Sequence, residues 1–142
     1  MKAITLWQPW ASLVAIGAKR IETRSWATKY RGPLAIHAAQ KHITIVDDLK
    51  ASRLIQNTIH SRGVAIKDLP KGVVLATSIL VDCVRITPEF MDTLSEQEKA
   101  FGDYTLGRYA WVLEDIKKLD KPIPAIGKQR LWEWESPEGV SW

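Results

Sequence analysis

Short stretches rich in β-branched and apolar residues recur along most of the chain, and they constrain its fold more than any other feature of the sequence. Turns that contain glycine or proline, such as 31–33 and 70–72, separate them. The predicted strands are 3–6, 21–26, 34–39, 73–86 (one bent strand or two short ones), 109–113 and 131–134. Because helices do not alternate regularly with these strands, the pattern predicts an α+β fold with five or six strands in a small, mostly closed sheet.

Helical segments lie between some of the strands. Pro9 fits the first turn of a short buried helix that ends at Gly17. A longer helix is predicted over 43–62, since its sequence has a partly periodic apolar stripe. That stripe consists of Leu49, Leu54, Ile55 and Ile59.

The length and the single cysteine limit the class of protein. A chain of 142 residues, 46% of them hydrophobic, predicts one folded domain. Cys83 alone excludes an internal disulfide and is typical of a reducing compartment, so we expect a cytoplasmic protein. The uncharged run 3–18 is interrupted by Gln8 and Pro9 and is too short to span a membrane, so no membrane partner is expected.

No motif for a metal or a cofactor is present in the sequence. The histidines His37, His42 and His60 do not have the spacing of metal ligands. A Walker-type loop and a G-x-G-x-x-G run are also absent from the sequence, which excludes P-loop nucleotide hydrolysis and dinucleotide redox chemistry. We therefore expect no metal and no cofactor.

Positive charge is concentrated in the first third of the chain. Residues 1–42 carry seven Lys and Arg against one acid, Glu22, whereas the remaining hundred carry 13 positive and 15 negative residues. This asymmetry favours a face that binds anions such as phosphate, with chance scatter over a solvated surface as the alternative. Lys128 and Arg130 either extend this basic rim or keep an edge strand soluble.

The segment 7–26 carries the strongest chemical pattern. It contains three tryptophans and the spacing G-x-K-x-x-E-x-R, formed by Gly17, Lys19, Glu22 and Arg24. Alternation along a strand puts Glu22 and Arg24 on one face, and we expect Lys19 to join them through an irregular junction before the strand. Desolvation beside aromatic rings would lower the pKa of Lys19 and make it a base or nucleophile. The alternative is a structural ion pair with tryptophans in the core.

The run LWQPWASLVAIGAKRIETRSW over 6–26 resembles the start of ASCH domains, a branch of the PUA-like superfamily whose hallmark is this spacing. Three later segments also resemble the family and follow in its order: YRGPLAIHAA (30–39), GDYTLGRYAWVLED (102–115) and LWEWE (131–135). The resemblance implies an ASCH domain over 1–135 and a small mixed β-barrel of five or six strands with flanking helices. The tail over 136–142 is expected to be mobile, as chain termini commonly are.

The resemblance also implies a cleft that contains the motif and faces RNA, nucleotides or modified nucleosides. Some small ASCH proteins are amidohydrolases that deacylate N4-acetylcytidine with a lysine, a threonine and a glutamate. Lys19 matches their lysine, whereas the position of their threonine holds Glu22, with Thr23 one residue further on. For their glutamate the sequence offers only approximate matches, Glu98 and Asp103.

From this resemblance we expect an amidohydrolase that cleaves N4-acylated cytidine to cytidine and a carboxylate. Neutral Lys19 would activate water or attack the acyl carbon. Arg24 or backbone N–H groups would stabilise the oxyanion, and Glu22 or Asp103 would protonate the leaving nitrogen.

Four further residues are expected to contact the substrate. Trp7 or Trp26 would stack on the pyrimidine, and Gln8 would read a base edge through its donor and its acceptor. His37 would lie in the cleft, with an ordinary core histidine as the competing interpretation.

The alternative is a binding module without catalysis. In that case Arg20, Lys29, Arg31 and Lys41 would follow an RNA backbone, while the motif holds one flipped or terminal base. A ribonuclease, with Lys19 supporting the cleavage transition state, is a third interpretation. The expected partner is a modified nucleoside or RNA. The sequence does not determine which acyl group is removed, whether the target is a free nucleoside or RNA, or the oligomeric state.

Overall fold

A computed structural model describes residues 1–41 and 48–137, which form one six-stranded mixed sheet with flanking helices. In chain order the elements are β1 (Lys2–Leu6), α1 (Trp10–Ala15), β2 (Ile21–Arg24), β3 (Gly32–Ala38), α2 (Leu49–His60), a 3-10 turn (Ile66–Asp68), β4 (Val73–Arg85), α3 (Pro88–Met91), α4 (Glu96–Ala100), β5 (Tyr109–Pro124) and β6 (Trp132–Glu133). The strand order is β2-β5-β4-β3-β1-β6; β1 and β3 run parallel and the other pairs antiparallel. The predicted α+β class and mixed sheet are confirmed.

The sheet is open, which corrects the expected closed barrel. Within the described ranges, β2 pairs with β5 alone and β6 with β1 alone. These end strands have four and two residues, too few for the staggered ladder that barrel closure requires. No backbone hydrogen bonds therefore join β2 to β1, and only side chains can bridge the opening between these two strands.

The two longest strands, β4 and β5, bend the sheet. Their pairing shifts register at three places between Val74 and Asp82, and such bulges increase the local twist. β5 continues well beyond the predicted 109–113 and ends at Pro124. Pairing with β4 up to Val73–Pro124 extends it, and proline is tolerated there because it ends the strand.

The short helix α1 fills the concave side of the curled sheet. Its Leu13 and Val14 are fully buried, and the helix contacts β3, β4 and β5. Trp111 packs in the same core cluster as Val14, and Trp132 and Trp134 are also buried. Burial of large aromatic rings contributes strongly to the stability of a domain this small.

Helix α2 extends from Leu49 to His60, within the predicted 43–62 helix. Asp48 caps it, accepting a hydrogen bond from the backbone N–H of Ala51 at 2.9 Å. Its buried face consists of Ala51, Ile55 and Ile59, whereas Leu49, predicted in the apolar stripe, is 65% exposed in the first turn. Residues 43–47 of this prediction, and 138–142 of the predicted tail, lie outside the described residues. None of the described helices has the length and apolar character of a membrane span.

Candidate functional site

A cleft of about 660 Å³ opens where the ends of β1 and β2 approach each other. Its walls come from both strand ends, the start of α2, the segment 99–103 at the end of α4 and directly after it, and Arg108. The aromatic part of the lining consists of Trp7, Trp10, Trp26 and Phe101. The charged part consists of Lys19, Glu22, Arg24, Asp48, Lys99, Asp103 and Arg108. This volume is typical of sites that hold small molecules.

The junction between α1 and β2 directs Lys19 into the cleft. Gly17 has φ +80°, a left-handed conformation that reverses the chain after the helix. The backbone N–H of Lys19 then donates to the carbonyl of Leu13 at 3.0 Å, and regular strand structure begins at Ile21. The junction is therefore irregular, as predicted, and Arg20 rather than Lys19 faces solvent.

The ammonium group of Lys19 is held inside the protein. The side chain is 1% exposed, and Nζ donates to the carbonyl of Phe101 at 2.5 Å. Nζ also lies 3.9 Å from Oε1 of Glu22. Burial lowers the pKa of Lys19, and the Glu22 carboxylate partly opposes this effect. Lys19 therefore loses its proton more readily than an exposed lysine, a property suited to a base or nucleophile.

Glu22 and Arg24 lie on one face of β2, as strand alternation predicts. Oε2 of Glu22 is 3.1 Å from Nη2 of Arg24, and the same Nη2 donates to the carbonyl of Thr5 at 2.9 Å. β1 and β2 are not neighbours in the sheet. Arg24 thus spans the opening that backbone pairing leaves, and Glu22 lies between the two cations of the motif.

Arg108 lines the cleft next to β2. Its Nη2 donates to the carbonyl of Thr23 at 3.3 Å, and its Nε lies 3.5 Å from Oδ2 of Asp103. The Thr105 hydroxyl donates to Asp103 at 2.5 Å, and this hydrogen bond lowers the pKa of Asp103. Asp103 therefore stays ionised at neutral pH, which disfavours its expected role as a proton donor.

The two predicted stacking tryptophans differ in accessibility. Trp7 is 50% exposed at the mouth of the cleft. Trp26 contacts Trp111 edge-on, with ring centroids 4.8 Å apart, and the guanidinium carbon of Arg130 lies 4.6 Å from its ring centroid. Trp7 is thus the more available surface for stacking.

Gln8 and His37 do not project into the cleft. Gln8 is fully buried; it accepts from the backbone N–H of Ser12 at 3.0 Å and donates to the carbonyl of Pro70 at 2.7 Å. Both ends of its amide are therefore engaged, and no base edge can reach it. His37 is 1% exposed and hydrogen-bonds through Nε2 to the carbonyl of Ala125 at 2.8 Å. Burial lowers the pKa of His37, which favours its neutral form.

The four cations predicted to follow a nucleic-acid backbone do not gather in one place. Arg20 and Lys29 are exposed, and neither lines the cleft. Nη2 of Arg31 lies 3.6 Å from Oδ1 of Asp82 in β4, and Arg31 does not line the cleft either. Lys41 lies beside the cleft, with Nζ 5.7 Å from the ring centroid of Trp7.

Sequence reasoning missed several cleft residues: Thr5, Asp48, Lys99 and Arg108. Arg108 belongs to the segment 102–115 that resembles the family, and this resemblance is the sequence signal that could have pointed to Arg108 as a site residue. Lys99 has no comparable pattern around it. Thr5 lies near the end of β1, Asp48 caps α2, Lys99 belongs to α4, and Arg108 precedes β5, which pairs with β2. The fold brings these separate elements to one cleft.

A curled mixed sheet with a Lys–Glu–Arg cleft beside the first helix defines a PUA-like domain of the ASCH type. A sequence model of the ASCH domain matches residues 4–123. The chain therefore belongs to the ASCH domain family, which is associated with RNA binding.

Comparisons with individual proteins agree with this family. Activating signal cointegrator 1 from Mus musculus and from Homo sapiens are each 30% identical to the chain over 142 residues, covering 94% of the chain. The chain spans 22% of the length of these relatives. Among solved structures, ASCH from Zymomonas mobilis has a TM-score of 0.51 at 18% identity, covering 87% of this chain and 72% of that one. A serine-to-alanine mutant of the same Zymomonas mobilis protein also has a TM-score of 0.51, at 19% identity with the same coverage. These two likenesses show the fold alone.

Proposed function

We propose that this chain binds single-stranded RNA and holds one nucleotide of it in the cleft. The observation that carries the proposal is the half-exposed indole of Trp7 at the mouth of a cleft lined by cationic side chains. Membership of a family associated with RNA binding supports the same class of ligand.

The exposed indole of Trp7 offers a surface on which a base of single-stranded RNA can stack. Bases of a single strand are free to leave their neighbours and stack on an aromatic side chain. Such stacking tolerates any base, because every base has a π-face. A tryptophan that is 50% exposed beside a cavity therefore suits a nucleotide better than a purely apolar ligand.

The polar lining matches the remaining parts of a nucleotide. Lys99 and the guanidinium of Arg108 provide positive charge on one wall, and guanidinium groups bind phosphate through paired N–H donors. Glu22 provides carboxylate oxygens that accept hydrogen bonds from an exocyclic amino group. The contact between Glu22 and Arg24 fixes the direction of that acceptor.

A binding assay tests this proposal. A fluorescein-labelled ten-nucleotide RNA of random sequence is titrated with the protein, and the anisotropy gives Kd. Trp7→Ala should weaken binding by about 5- to 150-fold, the equivalent of about 1–3 kcal/mol for one stacked base, whereas Trp7→Phe should retain most of the affinity. Arg108→Gln should weaken binding as well. Unchanged affinity in Trp7→Ala, or no binding by the wild type, would contradict the proposal; thermal melts verify that each variant is folded.

A second function, hydrolysis of an N4-acylated cytidine, is favoured by one specific observation. Lys19 is a buried amine in the cleft whose burial lowers its pKa. Neutral Lys19 would take a proton from water as that water attacks the acyl carbon. The C–N4 bond would then break, and the Lys19 ammonium would return the proton to the leaving nitrogen, giving cytidine and the carboxylic acid.

Incubation with N4-acetylcytidine, with chromatography for released cytidine, tests the hydrolase. Turnover should rise with pH as Lys19 deprotonates, and Lys19→Met should abolish it while preserving the buried volume. Lack of cytidine, or equal turnover by the Lys19→Met variant, would contradict this function. Because RNA binding is measured separately, the two functions can fail independently.

A further inference from the structure

A second groove of about 770 Å³ continues from the cleft on the far side of Trp7 and Trp26. The two cavities share four lining residues, Thr5, Trp7, Arg24 and Trp26. The other wall of the groove is the segment 125–130, which follows β5 and leads to β6. A chain that occupies the cleft can therefore pass directly into this groove.

The groove is lined by positive charge. Arg24, Lys41, Lys128 and Arg130 belong to its lining, and among the described residues that line it there is no aspartate or glutamate. The cleft, in contrast, contains three acids beside its four cations. A groove with charge of one sign attracts a polyanion rather than a zwitterionic or neutral ligand.

The loop that carries Lys128 and Arg130 is fixed against the sheet. The imidazole of His37 hydrogen-bonds to the carbonyl of Ala125 at 2.8 Å. Gly127 passes so close to the sheet that a Cβ atom there would lie 2.6 Å from Cε1 of His37 and 2.7 Å from Oγ1 of Thr5. A side chain at Gly127 would push this wall outward, so the two cations stand on a preorganised loop.

Two cations of the groove lie over the same tryptophans that line the cleft. The guanidinium carbon of Arg130 lies 4.6 Å from the ring centroid of Trp26, and Nζ of Lys41 lies 5.7 Å from that of Trp7. Alternating cationic and aromatic side chains along a groove are typical of surfaces that bind single strands, where bases stack and phosphates pair with charge.

We infer that this second groove binds the phosphate backbone of the RNA strand next to the nucleotide held in the cleft, with Lys128 and Arg130 as its principal phosphate contacts. The inference rests on the proposed RNA binding and extends it. It makes the ligand a strand that continues past the two tryptophans rather than a free nucleoside. It also assigns the backbone contacts to a loop close to the end of the sheet, instead of to Arg20, Lys29 and Arg31.

The salt dependence of RNA binding tests this inference. Kd for the labelled ten-nucleotide RNA is measured across a salt series for the wild type and for Lys128→Gln/Arg130→Gln. Loss of two phosphate contacts should reduce the slope of log K against log salt by about 1.4, since each contact to a single strand contributes about 0.7. At 0.1 M salt this corresponds to an affinity about 25-fold lower, relative to 1 M where the ionic contribution vanishes. The matched control, Lys117→Gln/Lys118→Gln, removes the same charge from β5 outside both cavities and should leave the slope close to the wild-type value.

The outcomes separate this inference from the proposed function. If the groove variant keeps the wild-type slope while Trp7→Ala and Arg108→Gln bind weakly, the groove assignment is wrong and the cleft stands. If the groove variant binds weakly while both cleft variants bind normally, the cleft proposal is wrong and the groove remains the RNA surface. An equal loss of slope in the control variant would overturn the groove assignment, because the effect would then reflect total charge.

Discussion

Replacing Glu22 by glutamine should destabilise the fold and change how its stability depends on pH. Glu22 lies between two cations, with its carboxylate oxygens 3.9 Å from Nζ of Lys19 and 3.1 Å from Nη2 of Arg24. Its side chain is 15% exposed, and that of Lys19 is 1% exposed. Glutamine preserves the shape and one acceptor oxygen, so the substitution removes little besides the negative charge.

The size of the effect follows from these distances. Two opposite unit charges about 4 Å apart attract each other by about 4 kcal/mol at an effective dielectric constant of about 20. The retained hydrogen bond from Lys19 to Phe101 and the partial exposure of Arg24 reduce the loss. Breaking a buried ion pair from one side generally costs about 3–5 kcal/mol, and we expect a loss at the lower end, about 3 kcal/mol.

The pH dependence follows from the pKa of Lys19. Burial already lowers this pKa from 10.5, and removing the Glu22 carboxylate should lower it further. Between the folded-state pKa and 10.5 the unfolded chain binds more protons than the folded one, so stability rises with pH in that window. In Glu22→Gln the window starts at a lower pH. The variant should therefore recover part of its lost stability as the pH is raised toward 10.5.

Urea denaturation followed by tryptophan fluorescence, at neutral pH and at about pH 9.5, measures both effects. Glu114→Gln removes an exposed acid from β5 and serves as the matched control, with little expected change. Lys19→Met/Glu22→Gln removes the uncompensated ammonium as well and should be more stable than Glu22→Gln. Equal stability of Glu22→Gln and wild type at neutral pH, or a deficit that grows with pH, would refute the reasoning.

Two further substitutions test the wall of the cleft and the anchor of the groove. A Cβ at Gly102 would lie 2.9 Å from the ring of Tyr104 and 3.3 Å from Nζ of Lys19. Gly102→Ala should therefore cost about 1–3 kcal/mol in urea denaturation and weaken RNA binding, and an unchanged midpoint would contradict this packing. Burial lowers the pKa of His37 below 6.5, so the unfolded chain takes up its proton first and stability should fall as pH decreases from 6.5. Thermal melts between about pH 5 and 7 should show a smaller loss for His37→Gln, and an equal loss would mean that His37 is not the group responsible.

Much of the sheet could be predicted from local sequence. Strands β1, β2 and β3 begin and end within two residues of their predicted limits, because alternation of side chains and the residues of turns act over short distances. The length of β5 could not be predicted in this way. Its second half is a strand because β4 offers it a partner, which is a property of the pairing and not of the segment itself.

The motif cluster could also be predicted, since its members are close in the chain. Gly17 reverses the backbone, and β2 then presents Glu22 and Arg24 on one face with Lys19 turned toward them. Gln8 shows the limit of such reasoning. Its neighbours in sequence placed it beside the cleft, but hydrogen bonds to the start of α1 and to Pro70 hold it inside the core.

The sequence by itself therefore determined the α+β class, the family and the Lys–Glu–Arg cluster, because the strand and turn patterns and the motif spacing are each written in short stretches of the chain. The tertiary structure decided that the sheet stays open, that Arg24 spans the opening to Thr5, and that Phe101 and Arg108 complete the cleft. It also decided that Lys128 and Arg130, rather than most of the basic residues of the first third, lie beside the tryptophans. These contacts join positions from 19 to more than 100 residues apart, and the order of strands in the sheet, which no local pattern encodes, brings them together.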